Sequence, residues 1–585
     1  MAEPRTLVDL LRRRAEDDPS GFAFGFLGDG ESLRRFTYGQ LDGEARRIAS
    51  LLAGRLAPGS RAVLVHEPGL DFVAAFFGCL YAGVVAVPVY PPMPPRADLA
   101  ASRIAKVIED VSAEALLTTA ALRDHLTAQP VLTEHATGLR WTVTDQPGRG
   151  DPGAWRAGAA TPDGIALVQY TSGSTTEPRG VVLRHRNLLA NQAAIGEALH
   201  VPGHPVVASW LPMYHDMGLI GTILFPLYRG APCYLMSPLR FLQRPASWLE
   251  LITRYQVTVS GGPDFAYALC ARRVTEAERD GLDLSSWRVA FSGAEPIRAA
   301  TMRRFAETFA PSGFDAAALA GCYGLAEASL LVTGAGRADP PVLTAGSAEL
   351  EAGRLVAGVA GGTRLVPSGR VASGHDVVIV DPASGTPLPD GEVGELWVRG
   401  PSVADGYWRR PADTAATFGA TLSTGAGGYL RTGDLGALDG GLLYVTGRLK
   451  DLLIVRGRSI HPHDIEDTAC RADPSSRRGG GAAFPVDSAA GEVVTLVQES
   501  RAEGAGLEPS AKVIRQAVLE THQLLLGTIY LVPPGSVLKT SSGKVRRRAS
   551  AEAVRAGRMT VLREDHGART GGGDRAWTAT ASGTG

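Results

Sequence analysis

Cysteine is scarce in this sequence, and lysine is equally scarce. The 585 residues include five cysteines, which are scattered along the chain with no CxxC pair. This spacing excludes a disulfide framework, offers no metal-ligand cluster and favours a reducing, cytoplasmic compartment. Only five of the 59 basic residues are lysine, and the others are arginine. Each remaining lysine is therefore a candidate for a role that arginine cannot fill.

A charge imbalance and a targeting signal are also absent. The formal net charge is -1, which argues against nucleic acid as a partner. The N-terminal stretch MAEPRTLVDLLRRRAEDD carries charges throughout and lacks the apolar core of a secretory signal. Residues 72–90 contain no charge and are long enough to be tested as a membrane span. Two glycines and Pro88 interrupt this run, so we expect a buried helix followed by a buried strand, and no integral membrane association.

The order of apolar runs predicts the fold class. Helical stretches alternate with short apolar runs over residues 1–160 and again after Tyr170, which predicts an α/β fold with parallel-rich sheets. After residue 365 the short pieces HDVVIVD, GEVGELWVRG and GLLYVTGR predict a small barrel-like or antiparallel layer. The last part predicts a compact α+β unit with a loop at SSRRGGG. Residues 566–585 are small and polar, and we expect a disordered tail.

The stretch YTSGSTTEPRG follows the strand-like run GIALVQ. Gly173 permits backbone conformations that turn N–H groups towards an anion. The hydroxyl donors of the loop are Thr171, Ser172, Ser174, Thr175 and Thr176. The Walker pattern GxxxxGK[ST] is absent, and Arg179 occupies the place where a lysine would be expected. Taken alone, the stretch is either a phosphate-binding loop or a plain hydroxyl-rich turn.

Further motifs follow this loop in order: WLPMYHDMGLIG, SGGPDFAY, FSGAEPI, GCYGLAEASLLV, LRTGDLG, GRLKDLLIVRGRSIHPHDIE and LKTSSGKVRRR. The set resembles the adenylate-forming superfamily of acyl-CoA synthetases, amino-acid adenylating domains and luciferases, up to about residue 560. The resemblance implies ATP and Mg²⁺ as cofactors and two half-reactions. A carboxylate attacks the α-phosphate of ATP to give an acyl-adenylate and pyrophosphate, and a thiol then takes the acyl group.

The resemblance also implies the domain organisation. The large N-terminal AMP-binding domain would span residues 1–448, with the parallel-rich sheets and the β-rich part inside it. A hinge at 449–452, centred on Lys450, would connect it to a smaller, mobile α+β C-terminal domain at 453–565. Rotation about this hinge would separate the two half-reactions.

The nucleotide-binding residues are carried over from the matching motifs. Tyr323 offers an aromatic face on which adenine can stack. Asp434 can accept hydrogen bonds from both ribose hydroxyls, and Arg448 would also contact the nucleotide. The adenine pocket would be lined by Gly293, Ala294, Glu295, Cys322, Gly324 and Leu325. Any one of these side chains, taken alone, is equally compatible with a turn or a core position.

The catalytic residues are carried over in the same way. Glu327, with Thr175, would hold Mg²⁺, since hard oxygen ligands suit a hard cation. His215 matches the family's gate between carboxylate and phosphate. Lys544 follows a flexible turn in SSGK, and in the family this lysine touches carboxylate and phosphate oxygens during adenylation. The alternative interpretation of Lys544 is a surface lysine next to the residues VRRRAS.

The motifs are similar to one branch in particular, the fatty acyl-AMP ligases. The irregular loop ending TTEPRG and the segments AVPVYPP and IVRGRSIHP resemble that branch. Residues 334–364 are either the insertion that such ligases carry or a surface loop. The insertion is associated with disfavouring coenzyme A. The resemblance therefore implies that a fatty acid is activated and passed to the phosphopantetheine arm of a separate acyl carrier protein, in polyketide or lipopeptide biosynthesis or envelope lipid assembly.

Three alternatives stay open. A fatty acyl-CoA synthetase would use coenzyme A as acceptor. An amino-acid adenylating enzyme would use Asp216 to hold an amino group, although the apolar surroundings MGLIGTILF suit an alkyl chain better. An inactive relative would bind ATP without turnover, against which Glu327, Asp434 and Lys544 are all present. A serine hydrolase is disfavoured because no GxSxG pattern occurs.

The first prediction concerns Lys544. The substitution Lys544→Ala should abolish acyl-adenylate formation and leave the fold intact, because the lysine acts on the charge that develops at phosphate. Pyrophosphate exchange measures this step. Near-normal exchange in the variant would contradict the assignment.

Overall fold

The computed structural model describes residues 3–566 except for 29–31, 93–96, 147, 172–177, 337–341, 361, 456–457, 489–490, 523 and 541–542. The chain divides into two compact units, Met1–Leu449 and Lys450–Gly585.

Strands and helices alternate through most of the N-terminal unit. Its strands are β1 (Phe22–Leu27), β2 (Leu33–Thr37), β3 (Arg61–Val65), β4 (Val85–Val89), β5 (Ala115–Thr118), β6 (Arg140–Val143), β7 (Ile165–Tyr170), β8 (Gly180–Arg184), β9 (Val207–Ser209), β10 (Cys233–Met236), β11 (Val259–Gly262), β12 (Val289–Ser292), β13 (Leu319–Gly324), β14 (Leu331–Gly334), β15 (Leu343–Ala345), β16 (Thr363–Leu365), β17 (Arg370–Val371), β18 (Asp376–Val380), β19 (Gly394–Arg399), β20 (Leu430–Asp439) and β21 (Leu442–Arg448). Its helices are α1 (Leu7–Asp17), α2 (Tyr38–Leu52), α3 (Leu70–Tyr81), α4 (Ala97–Val111), α5 (Ala120–Thr127), α6 (Pro130–His135), α7 (His185–Ala198), α8 (Asp216–Leu219), α9 (Phe225–Arg229), α10 (Pro238–Gln243), α11 (Ala246–Tyr255), α12 (Asp264–Arg273), α13 (Glu276–Arg279), α14 (Ala299–Phe309), α15 (Ser347–Glu351) and α16 (Pro411–Thr417).

Two large sheets organise this unit. The smaller one has six strands in the order β6-β5-β3-β4-β7-β8, parallel except for the antiparallel hairpin of β7 and β8. In the larger sheet, β13, β12, β11, β9, β10 and β1 pair in parallel. These parallel-rich sheets with helices confirm the predicted α/β class.

The β-rich part predicted after residue 365 continues the larger sheet. Strands β14, β17, β21, β20, β19 and β18 follow β13 in antiparallel pairing. The layer is therefore antiparallel and joined to the parallel strands through β13. This junction matters for function because β13 carries the GCYGLAE motif, whereas β20 and β21 carry the RTGD and GRLK motifs.

An aromatic cluster fills the core beneath the strands that lead to the motif loops. Trp248 and Trp287 lie with ring centroids 5.2 Å apart, and Tyr267 contacts Phe305 at 5.0 Å. The indole N–H of Trp248 donates to the Ser260 hydroxyl of β11 over 2.8 Å. Burial of these rings fixes β11 and β12, at whose carboxyl ends the GGPDF and SGAEP loops begin.

The uncharged run at residues 72–90 forms the buried helix α3 and the buried strand β4, as predicted. No helix among the described residues is both long and apolar enough to cross a membrane. Phe76 and Phe77 of α3 have no solvent exposure and belong to the main core cluster. The run is therefore apolar because it lies inside the protein.

The candidate insertion at 334–364 contributes two strands and a helix. Strands β15 and β16 pair antiparallel, and α15 lies between them in the chain. Ala345 and Leu355 are buried with Leu442 and Tyr444 of the β20–β21 hairpin in one apolar cluster. The described part of this segment is thus packed onto the hairpin that carries Asp434.

The C-terminal unit is a separate α+β layer. Its strands are β22 (Leu453–Val455), β23 (Arg458–Ile460), β24 (Ser476–Ser488), β25 (Gly491–Ser500), β26 (Leu526–Val532) and β27 (Arg563–His566), and its helices are α17 (Pro462–Ala472), α18 (Leu507–His522) and α19 (Arg547–Arg555). Strands β24 to β27 form one sheet in that order. Ile465, Leu496, Ile514 and Ile529 form a buried core between sheet and helices.

Two expectations for this unit need correction. SSRRGGG does not form a loop, because its residues from Ser476 onward begin β24, with an irregular register against β25 between Ser476 and Gly481. The irregularity accommodates glycines within a strand, which local composition alone assigns to a turn. His566 belongs to β27 and not to the tail, and residues 567–585 lie outside the described part.

Two buried histidines of the N-terminal unit are held neutral. His66 Nε2 and the Thr144 hydroxyl share a hydrogen bond of 2.9 Å, and the same hydroxyl lies 3.3 Å from the Thr118 carbonyl oxygen. His185 Nδ1 accepts the Leu7 N–H over 3.2 Å. Burial lowers the pKa of both His66 and His185 to about 4.

The second prediction follows from these pKa shifts. Between about pH 6.5 and about pH 4 the unfolded chain binds more protons at these histidines than the folded chain, so the free energy of unfolding falls as the pH falls. Urea unfolding of the full chain at several pH values measures the slope. His66→Gln, which cannot be charged, should reduce this slope, and His125→Gln on an exposed helix should leave it unchanged. An identical slope in wild type and His66→Gln would contradict the prediction.

Candidate active site

The hydroxyl-rich stretch lies in the sequence between β7 and β8, which pair antiparallel. The Thr171 N–H donates to the Arg179 carbonyl over 3.1 Å, and Tyr170 pairs with Gly180 in the ladder. Arg103 also donates to the Thr171 carbonyl at 3.3 Å. The base of the loop is therefore closed at the carboxyl edge of the six-stranded sheet, where ligands of such sheets bind. The predicted Ser172, Gly173, Ser174, Thr175 and Thr176 lie outside the described residues.

His215 lies on the loop that follows β9, immediately before α8. Its Nδ1 lies 2.5 Å from Asp216 Oδ1. A Cβ on Gly218 would lie 2.0 Å from the Pro212 carbonyl oxygen, so only glycine allows α8 to pack this closely against the loop. Gln169, at the end of β7, donates to the Tyr214 carbonyl over 3.0 Å. This bond connects the two sheets next to His215.

The SGAEP loop follows β12 and packs closely against β13. A Cβ on Gly293 would lie 2.7 Å from Cys322 Sγ, which agrees with the expectation that small residues permit close approach here. Ala294 has a positive φ of 68°. Glu295 accepts the Phe265 N–H over 2.6 Å, so its carboxylate supports the start of α12.

Tyr323, Asp434 and Arg448 come together from three strands. The Tyr323 hydroxyl donates to Asp434 Oδ2 over 2.8 Å, and Arg448 Nε donates to Asp434 Oδ1 over 2.8 Å. Asp434 is 5% exposed and Tyr323 is 9% exposed. Each carboxylate oxygen has room for a second hydrogen bond, since an ionised carboxylate offers about four acceptor positions. Asp434 is therefore a fixed acceptor with remaining capacity for a ligand.

Glu327 lies in the short turn after Gly324 and Leu325, and its carboxylate Oε1 accepts the Tyr407 hydroxyl over 2.8 Å. Burial raises the pKa of Glu327, whereas the Tyr407 hydrogen bond and the charge of Arg448 oppose this rise and Asp216 adds to it. The charges of Glu327, Arg448 and Asp216 are thus close enough to influence one another. The motif residues of the N-terminal unit converge at one place, although they come from distant parts of the chain.

Arg179 contacts both a carboxylate and an aromatic ring within the protein. Its Nη2 lies 3.2 Å from Asp413 Oδ1, and its guanidinium lies 5.4 Å from the centre of the Tyr407 ring. Its side chain is 28% exposed. A contact between Arg179 and Asp413 has no local signature in the sequence.

The donor set suits a metal that arrives with phosphate. Among the described residues, no group of three or more His, Cys, Asp or Glu side chains is placed to hold a metal ion. Mg²⁺ commonly binds proteins through one or two carboxylates together with substrate phosphates and water. Among the described residues, the single carboxylate of Glu327 therefore fits a Mg²⁺ ion that arrives with the nucleotide, and the predicted ligand Thr175 lies outside those residues.

In the C-terminal unit, Lys544 closes a tight turn. Its N–H donates to Thr540 Oγ1 over 3.0 Å, and the Thr540 N–H donates to its carbonyl over 2.8 Å. Arg547, three residues on, binds Glu466 and Asp451 at 2.6 and 2.9 Å. Asp451 follows Lys450, so Arg547 connects the first residues of this unit to the segment that bears Lys544.

Comparison with known proteins identifies the family. Residues 11–408 match the family described as "AMP-binding enzyme", and residues 450–563 match "Disco-interacting protein 2-like, AMP domain". The chain is 41% identical over 94% of its length to the medium-chain-fatty-acid–[acyl-carrier-protein] ligase JamA of Moorena producens, covering 95% of that protein. It is 38% identical over 93% of its length to the corresponding ligase TtuA of Teredinibacter turnerae, covering 92% of that protein.

This chain is an AMP-binding enzyme of the fatty acyl-AMP ligase branch. A solved fatty acyl-adenylate ligase from Legionella pneumophila, in complex with acyl adenylate and pyrophosphate, superimposes with a TM-score of 0.74. The identity is 36%, and the match covers 96% of this chain and 98% of that one. The predicted family is thereby confirmed.

Three residues of this AMP-binding enzyme were missed at the sequence level. Gln169 is a polar residue in an otherwise apolar strand, which is a signal that could have been used. Tyr407, in DGYW, and Asp413 belong to no motif recognised in the sequence. Their partners Glu327 and Arg179 are 80 and more residues away, and such contacts cannot be deduced from local patterns.

The third prediction tests Asp434 as the hydrogen-bond acceptor for the nucleotide in this AMP-binding enzyme. Asp434→Asn places an amide N–H₂ group against a donor, either Tyr323 or Arg448, and removes acceptor positions. The dissociation constant of ATP should rise about tenfold or more, since a hydrogen bond to a charged group is lost. Calorimetry measures the constant. Asp439→Asn, at the other end of β20, is the matched control, and equal ATP affinity in the two variants would contradict the role of Asp434.

Proposed function

We propose that this chain activates a fatty acid with ATP, releases pyrophosphate, and transfers the acyl group to the phosphopantetheine thiol of a separate acyl carrier protein. The observation that carries the proposal is the convergence of Tyr323, Asp434, Arg448 and Glu327 in one unit. The relatives that match over nearly the whole chain are named for this chemistry. As an ATP-dependent ligase of this kind, the enzyme would act in the cytoplasm.

The N-terminal unit would bind and orient the nucleotide. Asp434 would accept the ribose hydroxyls while Tyr323 and Arg448 hold its carboxylate in place. The adenine would lie against Tyr323, beside the SGAEP loop. The loop at 171–179 would surround the pyrophosphate portion. Mg²⁺ bound to Glu327 and the phosphates would neutralise charge on the leaving pyrophosphate.

Adenylation then requires a carboxylate oxygen to attack the α-phosphorus. The bond from this phosphorus to the bridging oxygen breaks, and pyrophosphate leaves with the electron pair. His215 would stand between the acyl carboxylate and the phosphate, its ring oriented by Asp216. Lys544 would contact the oxygens on which charge develops, which is where a positive charge lowers the barrier most.

Transfer follows when the carrier thiolate attacks the acyl carbonyl carbon and AMP leaves. Along the chain, the boundary between the two compact units falls between Leu449 and Lys450. This boundary supports Lys450 as the position of a hinge. In the described part of the insertion at 334–364, Ala345 and Leu355 pack on the β20–β21 hairpin, which supports a role for this segment beside the nucleotide. We propose that this insertion directs the acyl group to the carrier protein in preference to coenzyme A.

The surroundings of Asp216 support a fatty acid over an amino acid. Asp216 Oδ1 lies 2.5 Å from His215 Nδ1 and also accepts the Met217 N–H over 2.7 Å. These contacts give the carboxylate a role within the protein, at the His215 ring and at the start of α8. The buried side chains Met217, Leu219, Ile220 and Ile223 follow it and suit an alkyl chain.

The fourth prediction separates the possible acceptors. With ATP, Mg²⁺ and a panel of saturated fatty acids, acyl-adenylate should form, and holo-carrier protein should be acylated much faster than coenzyme A. Mass spectrometry of acyl-adenylate, acyl-carrier and acyl-CoA measures all three products. Apo-carrier protein, which lacks the thiol, is the matched control and should stay unmodified.

Each contrary outcome has a defined meaning. Efficient acyl-CoA formation would identify a synthetase. Pyrophosphate exchange with amino acids and none with fatty acids would identify an amino-acid adenylating enzyme. ATP binding without any adenylate would identify an inactive relative.

A further inference from the structure

The carboxylate of Glu327 is the first member of a chain of four side chains. Its Oε1 accepts the Tyr407 hydroxyl over 2.8 Å. The Tyr407 ring lies under the Arg179 guanidinium at 5.4 Å, and Arg179 in turn lies 3.2 Å from Asp413. The four side chains thus lead from the interior to the surface. Tyr407 is 8% exposed, and the Asp413 side chain is 34% exposed.

The backbone around Tyr407 is attached to the strand that leaves the hydroxyl-rich loop. The Val182 N–H donates to the Gly406 carbonyl over 3.0 Å, and the Trp408 N–H donates to the Gly180 carbonyl over 2.7 Å. The Tyr407 N–H donates to Thr414 Oγ1 over 3.0 Å. Residues 406–408 therefore run along the start of β8, and the position of Tyr407 is fixed by main-chain bonds on both sides.

A buried carboxylate that must bind a metal on one oxygen gains from a fixed partner on the other. Glu327 lies on a short turn, and its side chain has more rotatable bonds than that of an aspartate. Without a partner it could rotate away from the nucleotide. A hydrogen-bond donor behind a metal ligand fixes its orientation and keeps the acceptor geometry constant.

We propose that Tyr407 is the positioning residue for Glu327 and that Arg179 acts through Tyr407, with its own charge balanced by Asp413. Arg179 would then serve the phosphate site indirectly, by holding the tyrosine ring, and not by contacting phosphate. The proposal rests on the proposed function, because it assumes that Glu327 binds nucleotide-bound Mg²⁺.

The fifth prediction uses Tyr407→Phe, which removes the hydroxyl and keeps the ring between Arg179 and Phe418. We expect the affinity for a non-hydrolysable ATP analogue to be unchanged in the absence of Mg²⁺. With Mg²⁺ present, binding of the analogue should be weaker by about 10- to 100-fold, as is typical when the partner of a metal ligand is lost. Calorimetry of the full chain at increasing Mg²⁺ measures both constants without relying on turnover.

A second tyrosine provides a matched control. Tyr429 donates to Asp376 over 2.6 Å, and Arg399 lies 4.7 Å from its ring centre and 2.9 Å from Asp376. This arrangement repeats the arginine, tyrosine and carboxylate contacts on the antiparallel layer, at the carboxylate Asp376, which has no role in the proposed site. Tyr429→Phe should leave the Mg²⁺ dependence of analogue binding unchanged. An equal effect of the two substitutions on that dependence would overturn the proposal.

A double-mutant cycle tests the part played by Arg179. If Arg179 acts through Tyr407, Arg179→Gln should weaken Mg²⁺-dependent binding, and the double variant should be no weaker than Tyr407→Phe alone. Additive losses would mean that Arg179 contacts phosphate by itself and would overturn the indirect role. If Tyr407→Phe fails to fold, Arg179→Gln carries the same test, and unchanged Mg²⁺ dependence in that variant overturns the proposal.

Failure of the proposed function can be distinguished from failure of the positioning role of Tyr407. Wild-type protein that forms no fatty acyl-adenylate contradicts the function, whatever the variants do. Wild-type protein that forms adenylate, together with a Tyr407→Phe variant whose Mg²⁺-dependent binding equals that of wild type, contradicts only the positioning role.

Discussion

The site depends on one constraint, which is that a carboxylate inside a protein must be hydrogen-bonded or lose its charge. Asp434 meets this constraint through Tyr323 and Arg448, and Glu327 meets it through Tyr407. Because these partners come from β13, β21 and the segment before α16, meeting the constraint also fixes where the parallel and antiparallel parts of the large sheet join. The same bonds that satisfy the carboxylates therefore hold the motifs close to one another.

Much of the fold could be predicted from the sequence, since its signals are local. The uncharged run at 72–90 gave α3 and β4 because a helix and a strand buried on all sides both lack polar positions. Alternation of helices and apolar runs gave the parallel-rich sheets. The prediction of a loop at SSRRGGG was wrong. The bulge in β24 depends on pairing with β25, and amino-acid composition does not reveal this pairing.

The residues of the candidate site also differ in whether a local sequence signal predicts them. Tyr323, Glu327 and Asp434 could be selected because each lies in a recognisable motif, and the structure brings them together. Tyr407 and Asp413 could not be selected, since their importance comes only from side chains far away in the chain. Gln169 could have been noticed as a polar residue in an apolar strand, but its partner Tyr214 is 45 residues away. Arg179 occupies the place where a lysine would be expected in a phosphate-binding loop, and the contact with Asp413 gives its charge a partner within the protein. Electrostatic roles inferred from residue type thus need the positions of counter-charges, which only folding supplies.

The bond between Gln169 and the Tyr214 carbonyl bears on the rate of the proposed reaction. In the proposed function, His215, one residue after Tyr214, would stand beside the acyl carboxylate, and the loop that begins two residues after Gln169 would bind pyrophosphate. The Gln169 amide would then help to set the separation of the attacking carboxylate and the α-phosphate before either substrate arrives. The loss of translational and rotational freedom that two separate reactants suffer would thereby be shifted to protein folding, and effective molarities far above the solution concentrations of both reactants would become attainable.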